Sequence, residues 1–438
     1  MQRYDSYKDS GVKWLGEIPG HWEVIKSKYL WKESFSISEN GNEELLSVSQ
    51  YDGITPAKGD SRSESLKGYK IVSENDLVIN IMLAWMGGLG VSKYDGIVSP
   101  AYCVYKLTND SNPKYLHYLY KTPLYLAEFA RHSTGVIPSR WRMYTDDFGQ
   151  VVSLLPPRKE QDAIVEYLDE KMAKIDAAIT QQQKMIDLLN ERKQIIINRA
   201  VTKGLDPNVP MKNSGIDWIE EIPEHWEVRK LGTIGSTING VSHDSSYFGE
   251  GEPFVSYSDV YKNYSLPKFV SGLAKSSKQE RRLFSVERGD VFFTRTSETA
   301  EEIGFTSTCL ETIPNAVFAG FLIRFRPNAN VLDPNFSKYY FRAHIHRSYF
   351  VKEMNLVIRA SLSQQLLKGL PILLPSLQEQ YAIASYLDSK INEIDLCLDN
   401  KIKQISLLQE RKQIIINEVV TGKVRVYETN NKNIKLWF

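Results

Sequence analysis

An α+β fold is predicted: two similar mixed α/β domains joined by two long antiparallel coiled-coil helices, with approximate two-fold symmetry. Three observations predict it. Glu191 to Asn198 (ERKQIIIN) recurs letter for letter as Glu410 to Asn417, 219 residues on. At the same offset Leu154-Leu155-Pro156 returns as Leu373-Leu374-Pro375, Glu160-Gln161 as Glu379-Gln380, Tyr167-Leu168-Asp169 as Tyr386-Leu387-Asp388, and Ile175-Asp176 as Ile394-Asp395. Ser10 to Val24 (SGVKWLGEIPGHWEV) reappears as Ser214 to Val228 (SGIDWIEEIPEHWEV), at an offset of 204. Unequal offsets mean that the material between the blocks differs in length. The frame is duplicated and its contents are not.

In chain order, residues 1–157 form the first globular domain. Its opening, with Trp14, Pro19, Gly20 and Trp22, reads as a bound extended segment. Short strands follow at Leu45 to Val48, Asp76 to Ile81 and Ile97 to Leu107, and Pro113 to Arg131 is read as helical. Residues 158–203 make the first long helix. Leu168, Ile175, Gln182, Leu189 and Ile196 occupy one heptad position and Val165, Met172, Ile179 and Ile186 the other, with no Pro or Gly inside the seam. Residues 204–376 repeat the globular plan: Gly289-Asp290-Val291 matches Asn75-Asp76-Leu77, and Pro334 to Phe350 matches the helical stretch. The second long helix, 377–423, carries Leu387, Ile394, Lys401, Leu408 and Ile415 with Ala384, Ile391, Leu398 and Ile405. Gln182 and Lys401 are the polar seam positions, of the kind that fix register. From Gln161 to Val201 such a helix runs about 60 Å. A parallel pair would need the intervening domain to carry the chain back that whole distance, so an antiparallel pair is expected. Residues 424–438 are read as a short tail.

The 438 residues carry 54 Lys and Arg against 53 Asp and Glu, a net charge of +1 that argues against a simple electrostatic binder of nucleic acid. Cys103, Cys309 and Cys397 are scattered, without CxxC or paired histidines, so neither a disulfide framework nor zinc is indicated. No signal peptide and no membrane span are read, and a cytoplasmic setting is expected. Catalytic motifs are missing as well. There is no GxxxxGK[ST] loop. Pro156-Pro157 follows Leu155 and lacks the Asn or Asp of an amino-methyltransferase turn. Asp169-Glu170-Lys171 reads as the solvated face of a helix, and His344 and His346 lie two apart on different faces. No catalytic residue and no metal site are predicted.

Binding signals are stronger. Between Lys262 and Arg295 stand eight basic residues, Lys275, Arg281 and Arg282 among them, against Glu280, Glu287 and Asp290. Interleaved aromatics suit that stretch to phosphate contact, and a solvated loop competes on charge alone. Arg295-Thr296-Ser297-Glu298 follows the matched strand and offers groups of the kind that read base edges. Its counterpart in the first domain, Asn80 to Trp85, is strongly different in chemistry, and Asn80 and Trp85 are its candidates for DNA contact. Ahead of the long helices, Arg140-Trp141-Arg142 and Arg359-Ala360-Ser361 are further candidates for DNA contact, with Arg140 and Arg359 at the 219 offset. In the triplets, Ile195, Ile197, Ile414 and Ile416 flank the seam positions and are expected to face a partner protein.

These residues resemble the specificity subunits of type I restriction–modification systems. The resemblance rests on the twin Trp-x-x-x-Ile-Pro-x-His-Trp-Glu-Val openings, the twin Leu-Pro-[Pro/Ser]-x-x-Glu-Gln helix starts and the twin Glu-Arg-Lys-Gln-Ile-Ile-Ile ends, and it covers essentially the whole chain. Ser376 stands where the first copy has Pro157. The resemblance implies two target-recognition domains on a helical spacer that reads an asymmetric bipartite site in double-stranded DNA. It also implies two modification subunits and the restriction subunits as partners. S-adenosylmethionine, ATP and Mg2+ would then belong to those partners, with no cofactor in this chain. A protein-only scaffold, or an enzyme with an unrecognised motif, are the alternative readings.

Overall fold

The two offsets of the repeat meet in one β-ladder. Strand Glu23–Lys26, from the duplicated opening, pairs antiparallel with Val152–Leu155, which leads into the first long helix, and Val24 lies opposite Leu154. The second copy does the same: Glu227–Lys230 pairs with Pro371–Leu374, and Val228 lies opposite Leu373. The opening is thus a strand that closes each globular region onto its helix. The computed structural model describes residues 2–50, 53–58, 65–137, 140–297, 304–353, 360–430 and 433–436.

The chain divides into two compact units, Met1–Gln183 with Lys403–Phe438, and Lys184–Ile402. In the first, a four-stranded antiparallel sheet has the order Trp31–Ser34, Tyr102–Leu107, Leu77–Asn80, Leu89–Val91. In the second, the order Gly235–Asn239, Leu322–Pro327, Val291–Thr294, Thr306–Thr308 is the same. The strands Leu77–Asn80 and Val291–Thr294 are buried along their whole length, as their unbroken apolar runs require. Each is entered through a left-handed residue, Asn75 at φ 71° and Gly289 at φ 96°, conformations that Asn and Gly tolerate best. The following aspartates brace that turn: Asp76 accepts the Ser73 N–H at 2.9 Å, and Asp290 accepts the Glu287 N–H at 2.7 Å.

Two expected elements are divided. Ile97 to Leu107 is two strands, Gly96–Val98 and Tyr102–Leu107, separated by a turn at Pro100 in which Tyr102 donates to the Ser99 carbonyl. Pro113 to Arg131 is two helices, Pro113–Tyr120 and Pro123–Arg131. Pro123 cannot donate to the preceding turn, and the Thr122 hydroxyl caps the new helix. Its counterpart is likewise Pro334–Tyr340 and Ile345–Glu353.

The long helices span Arg158–Lys203 and Leu377–Val420. Their seam residues are buried or half-buried, while most positions between them are exposed. In the first unit Tyr427, beyond the second helix, shares a core with Tyr4, whose hydroxyl donates to Glu160 near the start of the first. Further along, Lys412 lies 2.7 Å from Asp176. The two segments therefore run antiparallel. In the second unit Ala200 and Val201 share a core with Trp226, which donates to Glu379, while Lys193 lies 2.7 Å from Asp395. That pair too is antiparallel, and it is the first unit's ion pair returned by the 219-residue repeat. The tail is a hairpin of Tyr427–Asn430 and Asn433–Leu436, tied back to the chain start by a bridge between Arg425 and Gln2.

Candidate nucleic-acid interface

The repeated motifs themselves hold the frame. Glu160 is 3% exposed and accepts from the Tyr4 hydroxyl at 2.8 Å, the Trp22 indole at 2.9 Å and His21 at 2.7 Å. Glu379 accepts from His225 at 2.8 Å and Trp226 at 3.2 Å. Burial works against the Glu379 anion, yet the bonds from His225, Trp226 and Ser376 hold its carboxyl below the usual range. Asp169, read from sequence as a solvated charge, is instead a tether: it takes Lys114 at 2.6 Å and the Tyr118 hydroxyl at 2.7 Å. Asp388 takes Lys338 and Tyr339 in the same way. These residues tie each globular region to its long helix.

In the first unit the loop after Leu77–Asn80 meets the segment ahead of the long helix. Met143 donates its N–H to the Ile81 carbonyl at 3.0 Å, and Thr134 pairs with Arg142. This brings the Trp85 and Trp141 rings together edge-on, with centroids 5.3 Å apart. Arg140 is exposed and Arg142 half-buried, its guanidinium donating to the Arg140 carbonyl. Asn80 differs from the expectation of a base contact. It is buried, and its amide oxygen accepts the Met82 N–H at 3.1 Å, so it shapes the loop from beneath.

The second unit repeats the arrangement with other chemistry. Leu362 donates to the Arg295 carbonyl at 2.8 Å, the bond that Met143 makes to Ile81. Thr296–Ser297 pairs antiparallel with Ala360–Ser361, and Thr296 lies opposite Ser361. Arg295, Thr296, Ser297 and Ser361 are therefore gathered at one place, whereas Glu298 and Arg359 lie outside the described residues. Sequence reasoning missed Phe321. It is 65% exposed, and its carbonyl accepts the Arg295 N–H at 2.9 Å. The Gly320-Phe321 step before an apolar strand reads as the start of a core strand, which hid it.

The basic stretch carries less free charge than its sequence suggests. Lys275 lies 2.7 Å from Glu250, and Arg281 lies 3.3 Å from Glu252 while also donating to the Ser276 carbonyl. Both carboxylates come from strand Phe248–Val255, which lies outside the stretch. Arg282 is exposed. Glu280 caps the helix Lys278–Leu283, and the Ser277 backbone N–H, with help from the Ser277 hydroxyl and His243, lowers its carboxyl to about 2.

The isoleucine triplets divide. Ile195 and Ile414 are exposed, as expected of a docking surface. Ile197 and Ile416 are 0% and 7% exposed, because each packs into the core of its own unit, and neither is available to a partner. Seven residues earlier, Leu188 and Leu407 are also exposed and extend the same apolar face. Among the described residues no group of three or more His, Cys, Asp or Glu is placed to hold a metal ion. No helix among them is long and apolar enough to cross a membrane.

Residues 223–407 match the family described as Type I restriction modification DNA specificity domain. Over nearly its whole length the chain is similar to type I restriction enzyme specificity subunits. It is 26% identical to a type I restriction enzyme MjaX specificity subunit of Methanocaldococcus jannaschii, over 96% of this chain and 98% of that protein. It is 25% identical to the MjaVIII specificity subunit of the same organism, over 97% and 98%. A solved chain from work on complex assembly and conformational transition of the type I R-M system superposes with a TM-score of 0.70 at 15% identity, covering 93% of this chain and 99% of that one. In this chain the duplicated motifs are the frame, and the divergent loops are what the frame presents.

Proposed function

We propose that the chain is the non-catalytic DNA-reading subunit of a type I restriction–modification complex, and that it reads an asymmetric bipartite site with one half-site per unit. The recognition domains are residues 1–157 and 204–376, the spacer helices 158–203 and 377–423, and the tail 424–438. Two modification subunits dock along the helices, through faces that include Ile195 and Ile414. They bring S-adenosylmethionine, and the restriction subunits that join them bring ATP and Mg2+, in the cytoplasm. One observation carries this reading. Two sheets of the same order, fixed to their helices by repeated residues, present loops of unlike chemistry at equivalent positions. Equal frames suit equal partners, and unlike loops suit unlike half-sites.

The test is methylome sequencing of cells that express the chain with its modification subunit. An asymmetric two-part motif is expected. Exchanging Asn42 to Tyr144 for a relative's segment should change one half of the motif and leave the other unchanged. A motif that changes in both halves together would refute one half-site per unit.

A further inference from the structure

In the first unit the loop after Asn80 offers little hydrogen-bonding capacity to a base edge. The Asn80 amide is buried under the Met82 N–H. Trp85 has a single donor, and it is given to the Met82 carbonyl at 3.2 Å. What remains exposed there is apolar: Met82 and Met86 from this loop, Ile137 and the 95% exposed Val136 from the facing segment. Met143 and Ile81 join the two segments, and Trp85 of the one packs on Trp141 of the other. Neither Asn80 to Gly88 nor Thr134 to Tyr144 contains an Asp or Glu, and the latter supplies Arg140 and Arg142. A solvent-exposed apolar cluster without acidic residues and with two arginines at its side is complementary to a polyanion that also offers apolar contacts.

Duplex DNA offers such a contact in its grooves through one group, the C5-methyl of thymine in the major groove. We infer that the first unit recognises its half-site through thymine methyl groups packed on Met82, Met86, Val136 and Ile137, with Arg140 and Arg142 on the flanking phosphates. The second unit, with Arg295, Thr296 and Ser297 at the equivalent place, reads by hydrogen bonds. Methionine suits the role because its unbranched, polarizable chain adapts to an irregular surface. This inference rests on the DNA-reading function proposed above.

The test uses the complex with its modification subunits and a fluorescent duplex carrying its own site. The half-site of the first unit is the half that changes when Asn42 to Tyr144 is exchanged. Replacing each thymine there by deoxyuridine removes the methyl and leaves base pairing intact. Binding should weaken about fourfold for each contacted methyl lost, and the Met82→Ala, Met86→Ala double variant should bind the thymine and deoxyuridine duplexes alike. Two results would overturn the inference while leaving the DNA-reading function standing: a half-site with no thymine on either strand, or equal binding of the two duplexes by the unaltered complex. A complex that fails to distinguish its site from random duplex would overturn both.

Discussion

Trp22 donates its indole N–H to the Glu160 carboxylate at 2.9 Å in the first unit, and Trp226 makes the same bond to Glu379 at 3.2 Å in the second. The two sites differ in depth, with Glu160 buried and Glu379 partly exposed. Glu160→Ala leaves the buried donors of Tyr4 and Trp22 without their acceptor, while the exposed His21 can turn to water, a loss of roughly 3–5 kcal/mol. Glu379→Ala should cost less, about 1–2 kcal/mol, since water can replace it. Hydrogen exchange on the full chain, read unit by unit, checks both. Equal losses in the two units would contradict the difference in burial.

The repeat made the frame legible because a residue that returns at a fixed offset is held by the same partners twice. Glu160 and Glu379 meet His-Trp pairs, and Asp176 and Asp395 meet Lys412 and Lys193. The heptad seam was legible for a similar reason, since its period is local. The loops were not, because what decides them comes from far along the chain. Asn80 reads as an exposed polar residue until the strand order buries it. Lys275 reads as free charge until Glu250 is folded against it. Ile195 and Ile197 look alike in a triplet, and only the unit's core separates them.

That separation yields a prediction for the helices. Ile195→Glu and Ile414→Glu should weaken co-purification of the modification subunit and leave the fold intact, because both side chains are already in water. Leu188→Glu and Leu407→Glu should act in the same direction. Ile197→Glu should instead unfold the second unit, since a carboxylate there enters an apolar core. Circular dichroism beside the co-purification separates the two outcomes. Normal partner capture by a folded Ile195→Glu, Ile414→Glu chain would remove this face from the docking surface.

His117 gives the first unit a pH dependence. Burial, aided by Lys121, Lys93 and Lys114, lowers its ring from the ordinary 6.5 to about 4. The neutral ring accepts the Val91 N–H at Nδ1, 3.1 Å away. A depressed folded value means that the stabilisation is whole above pH 6.5 and is lost as pH falls through about 4. The first unit should lose about 3 kcal/mol over that window beyond what its carboxylates account for. His117→Gln keeps an acceptor for Val91 and removes the titration, so its stability between pH 6.5 and 4 should fall less steeply. Identical slopes for the two proteins in urea melts of the first unit would rule out the ring as the source.

Arg295 and Lys275 should fail in different ways. Arg295 sits where the second unit gathers Thr296, Ser297 and the exposed Phe321, with its main chain fixed on both sides by Phe321 and Leu362. A fixed main chain and a long, forked donor suit a bidentate contact to guanine, which discriminates by about 1–3 kcal/mol. Arg295→Ala should therefore relax one position of the second half-site and leave affinity for random duplex nearly unchanged. Lys275 already faces Glu250 across an exposed ion pair, and such a pair exchanges its carboxylate for a phosphate at little cost. Lys275→Ala should weaken specific and random duplexes alike and lower the salt dependence by about one phosphate contact. Glu250→Gln should do the reverse, strengthening both, because it frees the same ammonium. Competition binding of the full complex across salt concentrations measures all three. If Arg295→Ala and Lys275→Ala produced equal losses on specific and random duplexes, Arg295 would be a phosphate contact and base readout would have to pass to Thr296, Ser297 or Phe321.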